Sequence, residues 1–158
     1  MYRIGFGNDI HRLSSGRPLV IGGVPIPSEL GAEGHSDADV LLHAVTDAIL
    51  GALALGDIGT HFPNSDPQWK DAESRVFLEK AVQMAAEKGY RIGNLDSTIG
   101  IESPRLKPFI ERMRENLAVI LGVGSERISV KAKTGEGVDA VGEGRAVRAD
   151  AVVLLERP

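Results

Sequence analysis

Four stretches of the chain alternate apolar and polar residues, and this period of two predicts β-strands. They are YRIGFGNDIHRL at 2–13, YRIGNLDSTIGIE at 90–102, ISVKAKT at 128–134 and RAVRADAVVLLE at 145–156. A further apolar stretch, LVIGGVPIP at 19–27, has two glycines at its centre and predicts a short hairpin.

Three other stretches carry apolar residues at helical spacing. The first is GHSDADVLLHAVTDAILGALALGD at 34–57, where Ser36 and Asp39 resemble a capping box. The second is DAESRVFLEKAVQMAAEKG at 71–89, and the third begins near Pro104 and ends at Gly122. Between the first two helices, DIGTHFPNSDPQWK at 57–70 predicts a long loop, a kind of segment that often carries function.

This order of elements predicts an α/β protein of the α+β kind. We expect a single domain over residues 1–158, because this length suits one hydrophobic core. The expected architecture is a mixed four-stranded sheet plus a short hairpin, with the helices packed on one face. No apolar run approaches the roughly 20 residues that a membrane span needs, and the N-terminus lacks a signal-like apolar segment. We therefore expect a cytoplasmic protein without a membrane partner.

Composition limits the chemistry that a site could use. The chain has no cysteine, so a metal would have to be held by His, Asp or Glu. The net charge of -4 argues against a nucleic-acid partner, since such partners attract basic surfaces. The four histidines stand at positions 11, 35, 43 and 61, and none follows. This clustering is the first indication of a site.

Asp9 and His11 lie two positions apart in the first strand, so their side chains project from the same face. They are either two metal ligands or a polar pair on a solvent face. On the first helix, His43 has Asp39 and Asp47 as its i-4 and i+4 neighbours. These three residues are either a solvent-facing polar stripe, or His43 is a third metal ligand and one of the two acids orients its imidazole from behind. In the second case, Asp9, His11 and His43 would leave one position of a zinc ion open.

The start of the first helix is a candidate phosphate site. His35 and Ser36 precede this helix, and a helix N-terminus favours an anion. The alternative is that Ser36 serves only as the N-cap and His35 is a loop residue. The stretch GFGNDI is not a dinucleotide fingerprint, because Ile10 stands where the third glycine is required.

The glycine-rich segment TGEGVDAVGEG at 134–144 is a second candidate, although it contains no Walker motif. Lys131, Lys133 and Thr134 could donate to a phosphate, and the neighbouring carboxylate of Glu136 suits a hard cation. The alternative is a flexible surface hairpin.

Five stretches, in this order, closely resemble the 2-C-methyl-D-erythritol 2,4-cyclodiphosphate synthase family. They are GNDIHRL, IGGVPIP, GHSDADVLLHAVTDAILGALALGDIGTHFPNSDP, KGYRIGNLDSTI and VKAKTGE, and they span nearly the whole chain. The resemblance implies a metal-dependent lyase of the non-mevalonate route to isoprenoid precursors. Its substrate would be 4-diphosphocytidyl-2-C-methyl-D-erythritol 2-phosphate, whose own 2-phosphate attacks the β-phosphorus to give the cyclic diphosphate and CMP.

The resemblance also implies a homotrimer with sheets facing the trimer axis and active sites between subunits. The positions that match the zinc ligands are Asp9, His11 and His43. Glu136 matches the ligand of a second ion, Mg or Mn, that binds with the substrate diphosphate.

Catalytic and substrate-binding positions can be carried over in the same way. The two that match transition-state stabilisers are His35 and Thr134. The positions that match substrate contacts are Asp9, His11, His35, Ser36, Asp57, Ile58, Gly59, Phe62, Pro63, Asn64, Ser65, Asp66, Ile101, Glu102, Ser103, Pro104, Arg105, Leu106, Lys107, Lys133, Thr134, Gly135 and Glu136.

One stretch departs from the family pattern. Val141 stands before the GEG motif at 142–144, where an arginine is usual, and the candidates to replace it are Arg145 and Arg148. Two other functions would use the same metal ligands. A zinc phosphodiesterase or other hydrolase would use the open metal position to activate water, and a non-catalytic trimeric binding module would hold a structural zinc.

Overall fold

The computed structural model describes residues 1–158. The strands, in chain order, are β1 (Tyr2–Ser15), β2 (Leu19–Ile21), β3 (Val24–Ile26), β4 (Leu30–Ala32), β5 (Arg91–Gly100), β6 (Ile128–Lys133) and β7 (Ala146–Glu156). The helices are α1 (Val40–Ala52), α2 (Ile58–His61), α3 (Ser74–Glu87), α4 (Ile110–Leu121) and α5 (Asp139–Gly142). None of these helices has the length and apolar character needed to cross a membrane.

The main sheet has the strand order β4-β1-β7-β5-β6. β5 and β6 run parallel, and the other neighbours are antiparallel, so the predicted mixed sheet of an α+β fold is confirmed. The predicted number of four strands is wrong by one. β4 pairs with the end of β1 at 13–15, beyond the part of β1 that β7 covers. Three residues centred on a glycine carry no readable alternation, which is why the sequence did not predict this strand. The predicted hairpin is formed by β2 and β3.

The helices cover one face of the sheet and enclose a core of 37 buried residues. The opposite face is open, and its exposed large apolar side chains are Tyr2, Ile4, Phe6, Ile10 and Val152. A contiguous apolar surface of this kind on a sheet usually marks an interface.

α1 lies unusually close to β1 because β1 presents glycines to it. A Cβ on Gly5 would overlap the backbone oxygen of Ala48, and a Cβ on Gly7 would overlap that of Ala44. The stretch GFG therefore serves helix packing. Asp9 and His11 follow on the same face of the strand, so they also meet α1.

Two helix starts differ from the predictions. Asp39 is the N-cap of α1 and accepts a hydrogen bond from the backbone N–H of Leu42, so the predicted capping box on Ser36 is wrong. The positive φ of 56° at Ala38 interrupts the helical path before Asp39. α4 begins at Ile110 rather than near Pro104, since a 3-10 turn at 107–109 precedes it.

The carboxylate of Asp39 also holds the β2–β3 hairpin against α1. It accepts from the backbone N–H groups of Gly22 at 2.9 Å and Gly23 at 2.7 Å. Burial raises the pKa of Asp39 to about 6, and the N–H donors offset only part of this effect.

The two predicted loop regions contain short helical segments. Residues 57–70 contain α2 and a 3-10 turn at 67–69. The glycine-rich segment contains α5 and joins β6 to β7, which are separated by β5 in the sheet. The alternative of a surface hairpin is therefore wrong.

Candidate metal centre and substrate cavity

Three side chains from two elements converge where α1 crosses β1. The Oδ2 atom of Asp9 lies 2.8 Å from Nε2 of His11 and 3.0 Å from Nδ1 of His43. The two imidazole nitrogens are 3.3 Å apart. All three residues are half-buried, and their donor atoms are close enough to hold one metal ion. Asp9 and His11 share a face of β1 as predicted, and His43 supplies the third donor atom of the group.

The donor set fits a tetrahedral ion such as zinc. Zinc bonds to nitrogen and oxygen are about 2.0–2.1 Å long, so the edges of its coordination tetrahedron are about 3.3 Å, close to the observed donor separations. The other nitrogen of His11, Nδ1, lies 2.7 Å from the carbonyl oxygen of Glu33. Because a carbonyl oxygen only accepts, Nδ1 of His11 carries a proton, and Nε2 is the nitrogen that a metal would bind. If three side chains bind the ion, one coordination position remains for an oxygen atom of a bound molecule.

The protonation of the cluster favours a bound cation. Burial alone would raise the pKa of Asp9, but hydrogen bonds from His11 and His43 outweigh it and lower the pKa to about 2. Burial also disfavours the protonated form of His11, but its hydrogen bond with Asp9 and the charge of that carboxylate raise its pKa above the usual value. An ionised carboxylate between two imidazoles attracts positive charge, whether a proton or a metal.

The predicted polar stripe along α1 does not form one group. Asp39 is turned to the hairpin, and Oδ1 of Asp47 accepts from the backbone N–H of Ile58 at 2.7 Å. Burial raises the pKa of Asp47. The acid in direct contact with His43 is Asp9, which comes from the strand. The prediction that a neighbouring acid of the stripe lies behind His43 is therefore wrong, because backbone N–H groups engage both carboxylates.

The cluster lines a cavity of about 480 Å³. The predicted substrate contacts that also line this cavity are His35, Ser36, Ile58, Gly59, Phe62, Pro63 and Asn64. Three predicted contacts from the same loop lie outside the lining, namely Asp57, Ser65 and Asp66. Asp57 caps α2 and Asp66 caps the following 3-10 turn, so these carboxylates are used by the loop itself.

His35 and Ser36 lie in this cavity and not on the end of α1. Nε2 of His35 is buried without a hydrogen-bond partner in the protein, a state that costs about 1–3 kcal/mol unless a ligand satisfies it. Ser36 is buried, and its Oγ lies 3.2 Å from Nε2 of His43. The helix-end phosphate site is not formed, because Asp39 already caps α1.

An aromatic wall of the cavity was not predicted from the sequence. The rings of Phe62 and Phe77 have centroids 4.8 Å apart, and Trp69 packs edge-on against both. Phe77 also lies 6.1 Å from the ring of His43. In an amphipathic helix or a loop, aromatic residues have the same sequence pattern whether they line a cavity or only pack in the core. No local signal therefore distinguishes the two cases.

The remaining predicted contacts lie around a second, smaller cavity of about 300 Å³. Its lining residues are Ile101, Glu102, Pro104, Arg105, Leu106, Lys107, Ile110, Ala132, Lys133 and Thr134. Of the predicted contacts in this region, Ser103, Gly135 and Glu136 lie outside the lining. The two cavities share no residue, so the predicted substrate contacts line two separate cavities in the single chain.

Thr134 and Glu136 are exposed beside the second cavity. Oγ1 of Thr134 lies 3.3 Å from Oε1 of Glu136, and Oε2 of Glu102 accepts from the N–H of Gly135 at 2.9 Å. Lys131 does not join this group, because it forms an ion pair with Asp96 at 2.7 Å.

Neither arginine near the altered glycine motif is free. Arg145 pairs with Glu143 and Arg148 pairs with Asp150. Val141 itself is buried. The position that holds an arginine in the family pattern is thus a buried apolar residue in this chain.

Comparison with curated proteins gives matches along the full length. The family model described as the YgbB family matches residues 2–156. The chain is 57% identical over 155 residues to the 2-C-methyl-D-erythritol 2,4-cyclodiphosphate synthase of Solibacter usitatus (strain Ellin6076), covering 98% of both chains. It is 53% identical to the chloroplastic enzyme of that name from Oryza sativa subsp. japonica, over 99% of this chain and 70% of the relative. The cytoplasmic location expected for this chain stays a prediction.

Solved structures share the fold. The structure described as 2C-methyl-D-erythritol-2,4-cyclodiphosphate synthase in its CDP-bound form has a TM-score of 0.91 and 41% identity, and the match covers 98% of this chain and 100% of that chain. The bifunctional IspDF from Campylobacter jejuni has a TM-score of 0.95 and 38% identity, and this chain matches 43% of its length.

Proposed function

Because this chain belongs to the YgbB family, we propose that it converts 4-diphosphocytidyl-2-C-methyl-D-erythritol 2-phosphate to 2-C-methyl-D-erythritol 2,4-cyclodiphosphate and CMP. It would act as a phosphorus–oxygen lyase of the non-mevalonate route. The observation that carries the proposal is the convergence of Asp9, His11 and His43 in a cavity lined by predicted substrate contacts.

The reaction requires no nucleophile from the protein. An oxygen of the 2-phosphate forms a bond to the β-phosphorus, and the bond from that phosphorus to the oxygen bridging to the α-phosphorus breaks. The electron pair of the broken bond leaves with CMP, and no water is consumed. The work of the protein is to hold the two groups in line and to neutralise their charge.

The first cavity suits the reacting phosphates. Asp9, His11 and His43 would hold zinc, which would supply a Lewis acid to the reacting phosphates. His35 would donate from its unpartnered Nε2 to the transferring phosphate, which would satisfy this buried atom. The wall formed by Phe62, Trp69 and Phe77 would exclude water.

The second cavity suits the nucleotide. Lys133 and Thr134 would donate to the diphosphate, and Glu136 would contribute a ligand to a second ion, Mg or Mn. The segment 101–107 would receive the cytosine. Two similar structures, the CDP-bound synthase described above and the IspF of Plasmodium falciparum, are complexes with CDP, which supports a cytidine nucleotide here.

A homotrimer would join the two cavities into complete sites. The open face of the sheet carries Ile4, Phe6 and Ile10, each more than half exposed in the single chain. Burial of such side chains is worth roughly 1.5–3 kcal/mol each, so association through this face around a central axis is favourable. The metal cluster lies on the helix-covered face, where it would remain available to a neighbour's second cavity.

Phosphorus NMR of the reaction tests the proposed activity. The protein is incubated with the cytidine substrate, Zn²⁺ and Mg²⁺. We expect resonances of a cyclic diphosphate together with CMP. A linear product would instead identify the hydrolase that also fits this metal site, and no turnover by zinc-loaded protein would favour a binding module.

A further inference from the structure

A hydrogen-bonded chain leads away from the metal cluster through His43. Nε2 of His43 lies 2.7 Å from Oγ of Ser74, the fully buried first residue of α3. Oγ of Ser74 in turn hydrogen-bonds Oδ1 of Asp37, and the other carboxylate oxygen of Asp37 accepts from the backbone N–H of Ser74 at 3.2 Å. Neither residue lines the cavity.

The proton positions along this chain follow from donor and acceptor chemistry. An ionised carboxylate only accepts, so the single hydroxyl proton of Ser74 points to Asp37. Oγ of Ser74 can then only accept from the imidazole, which places a proton on Nε2 of His43. Nδ1, the nitrogen that lies 3.0 Å from Asp9 within the cluster, is then the one that a metal would bind in place of a proton.

We propose that Ser74 and Asp37 are positioning residues that hold His43 in the tautomer that binds metal through Nδ1. The inference rests on the proposed metal site but does not depend on which reaction that site performs. Hydrogen bonds to the outer nitrogen of a ligating imidazole fix its ring and raise its basicity.

The two imidazoles of the cluster differ in how they are held. His11 donates to a backbone carbonyl, that of Glu33, which no substitution removes. His43 depends on side chains, and its other outer contact, Oγ of Ser36 at 3.2 Å, is longer than that of Ser74. Ser74 is therefore a position at which a substitution can change the metal affinity without replacing a ligand.

Zinc affinity, measured by competition with a chromophoric chelator, tests the proposal. Ser74→Ala removes the hydroxyl and keeps the backbone N–H, which donates a hydrogen bond to Asp37. We expect this variant to bind zinc roughly 10–100-fold more weakly. The matched control is Ser97→Ala, a substitution of another buried serine, whose hydroxyl donates to the carbonyl of Ser129 away from the site. We expect the control to bind zinc as the wild type does.

Nitrogen-15 NMR of zinc-loaded wild type reads the tautomer directly and needs no variant. We expect a proton on Nε2 of His43 and metal on Nδ1. Asp37→Asn, which preserves size, should weaken zinc binding as Ser74→Ala does. Zinc on Nε2 in the wild type, or a Ser74→Ala variant that matches Ser97→Ala in affinity, would overturn the proposal. A wild type that binds no zinc would instead refute the proposed metal site.

Discussion

Gly7 of β1 packs directly on the backbone of Ala44 in α1, and this contact brings His43 within reach of Asp9. Gly7→Ala would force the helix and the strand apart. We expect a loss of roughly 1–3 kcal/mol in the free energy of unfolding and weaker metal binding. Urea denaturation and chelator competition measure the two effects.

The control for this prediction is Gly51→Ala, on α1, the helix that Gly7 contacts. A Cβ at Gly51 would meet only the backbone oxygen of Phe6, at an ordinary 3.6 Å. This variant should be unchanged or up to about 1 kcal/mol more stable, because alanine favours helix. Equal stability of the Gly7 and Gly51 variants would show that the close approach of β1 to α1 does not determine the geometry of the site.

Removal of a metal ligand should cost the metal and not the fold. We expect Asp9→Ala and His11→Ala to lose zinc and most activity while circular dichroism stays unchanged, because both side chains face a cavity and lie outside the core. Metal analysis by mass spectrometry measures this. His61→Ala is the control, since His61 contacts the carbonyl of Leu55 outside the cluster. Wild-type zinc content in both ligand variants would refute the assignment.

Asp39 should make the stability of the metal-free protein depend on pH. Its pKa is about 6 in the folded chain against an ordinary value of 3.8, because burial disfavours the charge. A raised pKa contributes stability that is complete below 3.8 and is lost as the pH rises through 6. Between pH 4 and pH 7, the advantage of wild type over Asp39→Asn should shrink by roughly 2 kcal/mol.

Urea denaturation in the presence of a chelator measures this difference. The titration of His11 occurs in both proteins and largely cancels from the comparison, because the charge of Asp39 is the smallest of the causes that raise the pKa of His11. A gap that stays constant or widens with pH would show that Asp39 is ionised throughout, held by its three N–H donors.

Charge on the open sheet face should dissociate the proposed trimer. Phe6→Asp places a carboxylate at a position that is 58% exposed in the single chain. We expect a monomer by light scattering that still binds zinc, because the metal cluster lies on the other face. The matched control is Val119→Asp on α4, where the exposed fraction is 71%. A trimer that forms despite Phe6→Asp, or that dissociates equally with Val119→Asp, would refute the proposed interface.

Much of the fold could be predicted because its signals are local. Period-two alternation identified the four long strands and placed Asp9 and His11 on one face. The start of α1 could not be predicted, because Ser36 and Asp39 are equally good caps locally. Tertiary hydrogen bonds from Gly22 and Gly23 to the carboxylate of Asp39 decide the choice.

The site could be predicted only in part. The ligands follow from the family resemblance, and the contact between β1 and α1 needs the approach that Gly5 and Gly7 permit. Ser74 gave no local signal, since it meets His43 from 31 positions away and stands in an ordinary acidic helix start.

The proposed division of one active site between two copies of the chain is tested most directly by mixed trimers. His43→Ala disables the metal cavity and Lys133→Ala disables the nucleotide cavity, and each variant alone should form almost no cyclic diphosphate. In trimers of the two variants co-expressed in equal amounts, about a quarter of the interfaces join two intact cavities, so about a quarter of the wild-type rate should return. Mixed trimers, verified by native mass spectrometry, that are no more active than the variants alone would contradict a site shared between subunits.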